Sequence, residues 1–465
     1  MKHFIAAIFI ILSAPGFGQL KTIEVRGVVF EDSNGNGVRD KSEKVLKDVP
    51  VSNGEDIVLS NRKGEYLFHS KVGTSIFAIP PFEYKSGGGI KNLNANFLYL
   101  DSISCREKAS FVHDIALSKQ EKISKFTVGA IGDIQMKDYQ EINYANQSIL
   151  SELMQRKDDI DFNIFLGDQI NEDVSLFPSV EQMIENLPMP SWSILGNHDR
   201  YIDGSTDQDK EFNRYFGASH YSFNYGKIHF IVLNNVYSKD HNRNYAGYIT
   251  DEQLSFVAND LKYVPKESTI VLCQHIPMVY THNKDVILEL LKNRGKVLIL
   301  SGHTHQVGRY VFSDNIQELT AGATCGNWWV GERDWLGIPT ALMQCGTPRG
   351  YFTVEFNRND YKIQFKGVGL DKDNQMDIWI NGQDTIDQHV EDLKSIDKNL
   401  IVANIYGASD STKVLMQIDN GAWVEMEQTK MVAPGVSRVI SLNKEDVYPT
   451  KYSRRGALRK RESPH

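Results

Sequence analysis

Between residues 126 and 306 short apolar runs alternate with stretches of helical spacing, and no other feature constrains the fold as much. Phe126 to Ile131, Phe162 to Leu166, Ser191 to Leu195, Ile228 to Leu233, Thr269 to Cys273 and Val297 to Leu300 read as short buried strands. Ile142, Ala145, Ile149, Leu150, Leu153 and Met154 recur at helical spacing, as do Leu254, Val257 and Leu261, and Ile287, Leu290 and Leu291. Strand–helix alternation of this kind predicts an α/β layer fold. The flanks read differently. Thr22 to Phe30, Ile57 to Leu59, Tyr66 to Phe68, Ile76 to Ile79 and Phe111 to Leu117 are strand-like, with Gly and Asn between them, which predicts a small β-sandwich. After Tyr310 strands dominate again, at Tyr351 to Phe356, Tyr361 to Phe365, Leu400 to Ile405 and Val414 to Ile418.

At 465 residues the chain has room for about three domains. A composition of 41% hydrophobic and 24% charged residues excludes a disordered, collagen-like or multi-span membrane protein. The formal net charge of −8, with no long basic stripe, argues against nucleic acid as the main partner. Lys2 and His3 precede the apolar run Phe4 to Leu12, and Gly16 and Gly18 follow it. The run is shorter than the about 20 residues of a membrane span and suits a secretory leader cleaved before Gln19. With no Cys at 19, a lipoprotein anchor is not expected, and the mature chain is expected to be secreted or periplasmic with no transmembrane segment. The expected organisation is a leader at 1–18, a β-sandwich at 19–120, the α/β domain at 121–310, a β-rich domain at 311–450 and a basic tail at 451–465. Oligomeric state is not legible.

Five of the strands in the α/β region run into polar clusters. These are Gly132-Asp133-Ile134-Gln135, Gly167-Asp168, Gly196-Asn197-His198-Asp199, Gln274-His275 and Ser301-Gly302-His303-Thr304-His305. The carboxyl ends of strands in open α/β sheets form the ligand crevice, so the clusters are expected to converge. Carboxylate, amide and imidazole groups without a thiolate suit Mn, Fe or Zn rather than an iron–sulfur cluster. Two such ions can clamp an in-line phosphoryl displacement.

In order and spacing these clusters resemble the calcineurin-like metallophosphoesterases, whose pattern runs Asp-x-His, Gly-Asp, Gly-Asn-His-Asp/Glu, His, Gly-His-x-His. The segment Gly326-Asn327-Trp328-Trp329 onward, with Cys345-Gly346-Thr347-Pro348, looks like the C-terminal part of bacterial secreted members. The resemblance implies an αββα sandwich, flanked by the two β-regions, that hydrolyses a phosphomonoester or phosphodiester with a metal-bridging hydroxide. It implies two divalent transition ions, one held by Asp133, Gln135, Asp168 and His305, the other by Asp168, Asn197, His275 and His303. His198 is then the general acid or phosphate contact, oriented by Asp199. Gln135 departs from the family pattern, which has His there. Small-molecule, lipid-headgroup and glycan phosphoesters are all admissible substrates.

Three further features stand apart from the clusters. Asp32 to Glu43 fits the calcium loop D-x-[DN]-x-[DN]-G-x5-E, with ligands from Asp32, Asn34, Asn36, the Val38 carbonyl, Asp40 and Glu43. Trp328 and Trp329 are candidates for a substrate pocket, with a core or interdomain plug as the alternative. Cys325 and Cys345, both in Gly-flanked loops, are candidates for a disulfide. His220 and His229 read as structural or surface residues. The competing function is a calcium-dependent surface-binding protein with a degenerate catalytic domain. Six matches at the seven expected metal-ligand positions argue against it.

Overall fold

A computed structural model describes residues 22–86, 96–331, 333–340, 342–394, 396 and 400–444. The expected leader and basic tail lie outside the described residues. Two sheets form the centre of the molecule. Their strands are β1 (Lys125–Ile131), β2 (Phe162–Phe165), β3 (Ser191–Ser193), β4 (Tyr221–Tyr225), β5 (Ile228–Val232), β6 (Ile270–Cys273), β7 (Val297–Ser301), β8 (Val307–Ser313), β9 (Ile316–Ala321), β10 (Gly350–Asn357) and β11 (Asp360–Gly367). The first sheet has the order β3-β2-β1-β10-β11 and the second β4-β5-β6-β7-β9-β8. Strands β1, β2 and β3 are mutually parallel, as are β5, β6, β7 and β9.

Alternation along each strand decides which layer a side chain joins. Phe126, Val128 and Ala130 of β1 and Phe352 and Val354 of β10 enter one core with Phe230, Leu272 and Leu298 of the second sheet. Ile131, Phe165 and Tyr351 enter another core with Ile149, Leu153, Phe177 and Val180 from the helical layer over the first sheet. That layer begins at Asp138, whose side chain caps the helix Tyr139–Ala145 by accepting from the Glu141 amide at 2.9 Å. The periodicity expected from Ile142 to Met154 is met by this helix, a π-turn at Asn146–Leu150 and a helix at Ser151–Gln155.

The structure moves one expected boundary. A division at 310/311 falls inside β8, and β9, β10 and β11 complete the two central sheets. The reason is pairing: β10 runs antiparallel to β1, with Phe126 opposite Phe356 and Ala130 opposite Phe352. Local strand character cannot reveal a partner so far away in sequence. Beyond Gly367, two short antiparallel pairs, Met376–Ile380 with Ile401–Ile405 and Leu415–Met416 with Val424–Glu425, precede the helix Pro434–Lys444.

The N-terminal region forms a five-stranded and a four-stranded sheet enclosing Val25, Val29, Val51, Phe68, Ile76, Ile115 and Leu117. The segment Phe111 to Leu117 is two strands, Ser110–Val112 and Ile115–Lys119, rather than one. The chain breaks between them because the His113 carbonyl turns to the Tyr66 hydroxyl at 2.6 Å and the Asp114 carboxylate accepts from the Val28 amide at 2.8 Å. This region is tied to the centre by Tyr99 Oη on Asp207 at 2.6 Å and by His220 Nε2 on the Gly54 carbonyl at 2.8 Å.

Candidate metal centre

The carboxyl ends of β1, β2, β3, β6 and β7 deliver the five polar clusters to one place. Asp168, His275 and His303 bring ligand atoms within 4.8 Å of one another. His275 Nε2 lies 3.3 Å from Asp168 Oδ2, 3.1 Å from Asn197 Oδ1 and 3.9 Å from Asp133 Oδ1. Asp133 also accepts from the His303 backbone amide at 2.7 Å, which ties the first cluster to the last. Gln135 joins through its backbone, donating its N–H to the Asp168 carbonyl at 2.8 Å. His305 stands beside this group, its Nδ1 held by the Gly326 carbonyl at 2.7 Å and its ring against Trp328 with centroids 4.5 Å apart.

Two of the imidazoles are anchored by backbone carbonyls. His275 Nδ1 faces the Leu166 carbonyl at 2.8 Å, and His305 Nδ1 faces that of Gly326. A carbonyl only accepts, so each Nδ1 carries a proton, and His275 Nε2 faces Asp168, Asn197 and Asp133. Burial, together with the charge of His275, pushes His303 down to about 3, and burial pushes His305 down to about 4, so both are neutral at pH 7. His275 goes the other way. Burial opposes its charge, but Asp168 and Asp133 outweigh burial and raise it to about 10. Burial drives Asp133 up, while Asp168 is held below the usual carboxylate range because His275 and His198 outweigh its burial. The Asp133 Oδ1 and Gln135 Oε1 atoms are buried and have no hydrogen-bond partner. Unpaired buried oxygens of this kind cost about 1–3 kcal/mol each. Hard oxygens beside neutral imidazoles fit divalent ions.

The backbone is strained around the centre. Gln135, Asp168, Glu172, His303, His305, Trp328 and Trp329 all have positive φ, between 38° and 77°. L-residues disfavour this region by about 1–2 kcal/mol, and such strain gathers at functional sites. Gly167 has φ +94°, and a Cβ there would lie 2.3 Å from His275 Nδ1. The Gly-Asp pair thus lets the chain turn directly under the His275 ring.

Three expectations change on inspection of the side chains. Asp199 does not face His198. It is fully buried and accepts from the backbone amides of Gln169 at 2.8 Å, Ile170 at 3.1 Å and Gly196 at 2.9 Å, so it fastens two cluster loops together. The residue beside His198 is Glu172, with Oε1 3.7 Å from His198 Nδ1 and its own N–H donated to the His198 carbonyl at 3.1 Å. Arg243 pairs with the other Glu172 oxygen. Glu172 escaped the sequence reading, although an acidic residue four positions after Asp168 in the same strand-end loop was a usable signal. The tryptophans also part company. Trp329 is 3% exposed, donates Nε1–H to the Ile134 carbonyl at 2.8 Å and packs under Arg349, so it belongs to the core. Trp328 is half-buried against His305 and is the member that borders the centre. Finally, Cys325 and Cys345 are unbridged. They point into different cores, Cys325 near His305 Nδ1 at 3.8 Å and Cys345 toward the Thr347 hydroxyl at 3.3 Å.

The Asp32–Glu43 loop closes on its own groups. Asp32 accepts from the amides of Gly35, Asn36 and Gly37, Glu43 from those of Ser33 and Asp40, and Asp40 from the side-chain amides of Asn34 and Asn36. Val38 is exposed. His229 is structural, held between Asn224 and Asp260 at 2.8 Å each.

Two family profiles match the chain. The profile of the calcineurin-like phosphoesterase domain matches residues 126–307, and that of the C terminal of calcineurin-like phosphoesterase matches residues 318–465. The chain belongs to the calcineurin-like phosphoesterase family, which makes it a metal-dependent phosphoric ester hydrolase. A 3',5'-cyclic-nucleotide phosphodiesterase of Nostoc sp. is 23% identical over 194 residues, covering 38% of this chain and 68% of that protein. A dimetal phosphatase from Danio rerio superposes with a TM-score of 0.36 at 16% identity, over 52% of this chain and 96% of that one. A purple acid phosphatase from yellow lupin gives 0.38 at 12% identity, over 69% and 67%. No helix among the described residues is long and apolar enough to cross a membrane.

Proposed function

We propose that this chain is a dinuclear phosphoesterase whose two ions are held by Asp133, Gln135, Asp168 and His305 and by Asp168, Asn197, His275 and His303. The observation that carries the reading is the Asp168–His275–His303 group, whose ligand atoms lie within 4.8 Å of one another, with the buried Asp133 Oδ1, free of hydrogen bonds, 3.9 Å from His275 Nε2. When bound, two such cations neutralise charge on the transferring phosphoryl group and acidify water beside it. The protein's own groups do the rest. His198, a quarter exposed, is placed to give a proton to the leaving oxygen. Glu172 Oε1 lies 3.7 Å from its Nδ1, and Arg243 pairs with the other Glu172 oxygen. Asp199 fastens the loops that carry Asp168 and Asn197, and so sets the distance between them.

Asp168→Ala and His303→Ala should each abolish nearly all hydrolysis and release bound metal, whereas His198→Ala should lower turnover about 100- to 10,000-fold with metal retained. Full activity and metal content in Asp168→Ala would overturn the dinuclear assignment. The His198 loss should shrink for good leaving groups, and an equal loss across leaving groups would assign His198 to phosphate positioning instead. The name of the Nostoc relative supports including cyclic phosphodiesters beside aryl monoesters in the substrate panel. Mn, Fe and Zn are the ions to compare. The leader reading places the protein outside the cytoplasm, and a mature chain that begins at Gln19 is its check. We also assign calcium to the Asp32–Glu43 loop on its oxygen spacing.

A further inference from the structure

Glu318 is a fully buried carboxylate on β9, opposite Ile299 of β7 and away from the polar clusters in sequence. A carboxylate taken wholly out of water costs several kcal/mol unless its surroundings compensate. Its bonds show what it is holding. One oxygen, Oε1, accepts both the Met278 amide at 2.8 Å and the Ser301 hydroxyl at 2.8 Å. Ser301 Oγ in turn meets the Thr320 hydroxyl at 3.0 Å. A hydroxyl has one proton and two lone pairs, so Thr320 donates to Ser301 and Ser301 donates to Glu318. Met278 follows His275 by three residues, and Ser301 precedes His303 by two. One oxygen therefore clasps the loop leaving β6 to the end of β7, and each of these carries a histidine of the centre. The two segments also meet directly, the Gly302 amide donating to the His275 carbonyl at 3.0 Å, and the Glu318 oxygen adds a side-chain link between Met278 and Ser301. Pro277 has no N–H, so the Met278 amide is the first donor after Ile276 that can be clasped.

We propose that Glu318 is a positioning residue for phosphoester hydrolysis, fixing the separation of His275 and His303 through the Met278 amide and the Ser301 hydroxyl. The proposal rests on the metal-site reading above. It assigns no part in the chemistry to Glu318 itself. Hydrogen-bonding partners behind metal-binding histidines typically change metal affinity or activity by about 10- to 100-fold when lost. The acceptor oxygen is what the clasp requires, so Gln should serve nearly as well as Glu.

The test uses the full chain with Mn as the probe. Glu318→Leu should weaken Mn affinity about 10- to 100-fold by direct titration and lower kcat, with KM for an aryl phosphate little changed. Glu318→Gln should restore both to within about threefold, and Ser301→Ala, which cuts one arm of the clasp, should fall between. Melting temperature is recorded for each. Should Glu318→Leu not fold, the Gln and Ala variants still decide. Normal Mn affinity and kcat in Ser301→Ala would overturn the proposal, and so would Gln as damaging as Leu. His275→Ala is the control for the underlying reading. If it too leaves Mn binding unchanged, the metal assignment has failed; if it alone abolishes binding, only the clasp has failed.

Discussion

Gly167→Ala tests how tightly the fold sets the centre. The substitution adds one methyl group at φ +94°, where an L-residue is disfavoured by about 1–2 kcal/mol. The new Cβ would stand 2.3 Å from His275 Nδ1 and 2.8 Å from its Cγ. The ring cannot step aside freely, because it is fully buried and bonded to the Leu166 carbonyl at 2.8 Å. Overpacking of this kind costs about 1–3 kcal/mol, and displacing the ring forfeits a buried hydrogen bond of about 1 kcal/mol. Together these predict a loss of about 3–6 kcal/mol in unfolding free energy. Gly204→Ala is the matched control. Its φ is +83° but nothing lies within 4 Å of the added carbon, so only the backbone cost of about 1–2 kcal/mol should appear. Denaturant titration of both variants, with Mn titration of the folded protein, separates strain from collision. Equal losses in the two variants, or Gly167→Ala with undisturbed Mn affinity, would refute the argument that Gly167 makes room for His275.

Trp329→Ala should cost about 3–5 kcal/mol in denaturant titration, as a buried aromatic, whereas Trp328→Ala should cost much less and act mainly on KM for substrates with a flat organic group. Gln135→His should tighten the site shared with Asp133 and His305 and widen the set of activating ions toward Zn, because imidazole is a softer and stronger donor than an amide oxygen. Identical metal titrations would show that Gln135 is no ligand. Calcium should raise the melting temperature through the Asp32–Glu43 loop, and Asp32→Ala with Glu43→Ala should remove that rise without changing turnover. Absence of any calcium effect on the unsubstituted chain would end that assignment. Glu172→Gln should lower turnover with metal content unchanged and with an altered pH profile, the signature of a group acting through His198. An unaltered profile would leave Glu172 a surface partner of Arg243.

Asp133, Asp168, Asn197, His275, His303 and His305 were legible in the sequence because each follows a strand-length apolar run. Parallel strands deliver their carboxyl ends to one edge of a sheet, so local pattern alone predicted that these side chains converge. The α/β core and the N-terminal sheets were legible for the same reason: period and punctuation are local. What a side chain faces after the turn is not local. Asp199 sits next to His198 in sequence, yet it turns to the amides of Gln169, Ile170 and Gly196, and Glu172 takes the place beside His198 from another loop. Adjacent residues at the mouth of a turn point in different directions, and their φ values, positive at Glu172, His303 and Trp329, are imposed by packing from elsewhere. The same holds for Trp328 and Trp329, of which one borders the centre and the other fills the core. Cys325 and Cys345 share the segment between β9 and β10 but enter different cores. Tyr351 to Phe356 and Tyr361 to Phe365 are strand-like in the sequence, but only pairing of β10 with β1, and of β9 with β7, makes this stretch part of the central layers. Strand partners are chosen by burying apolar faces and satisfying backbone hydrogen bonds across long sequence separations, and neither term is written in any short stretch of the chain.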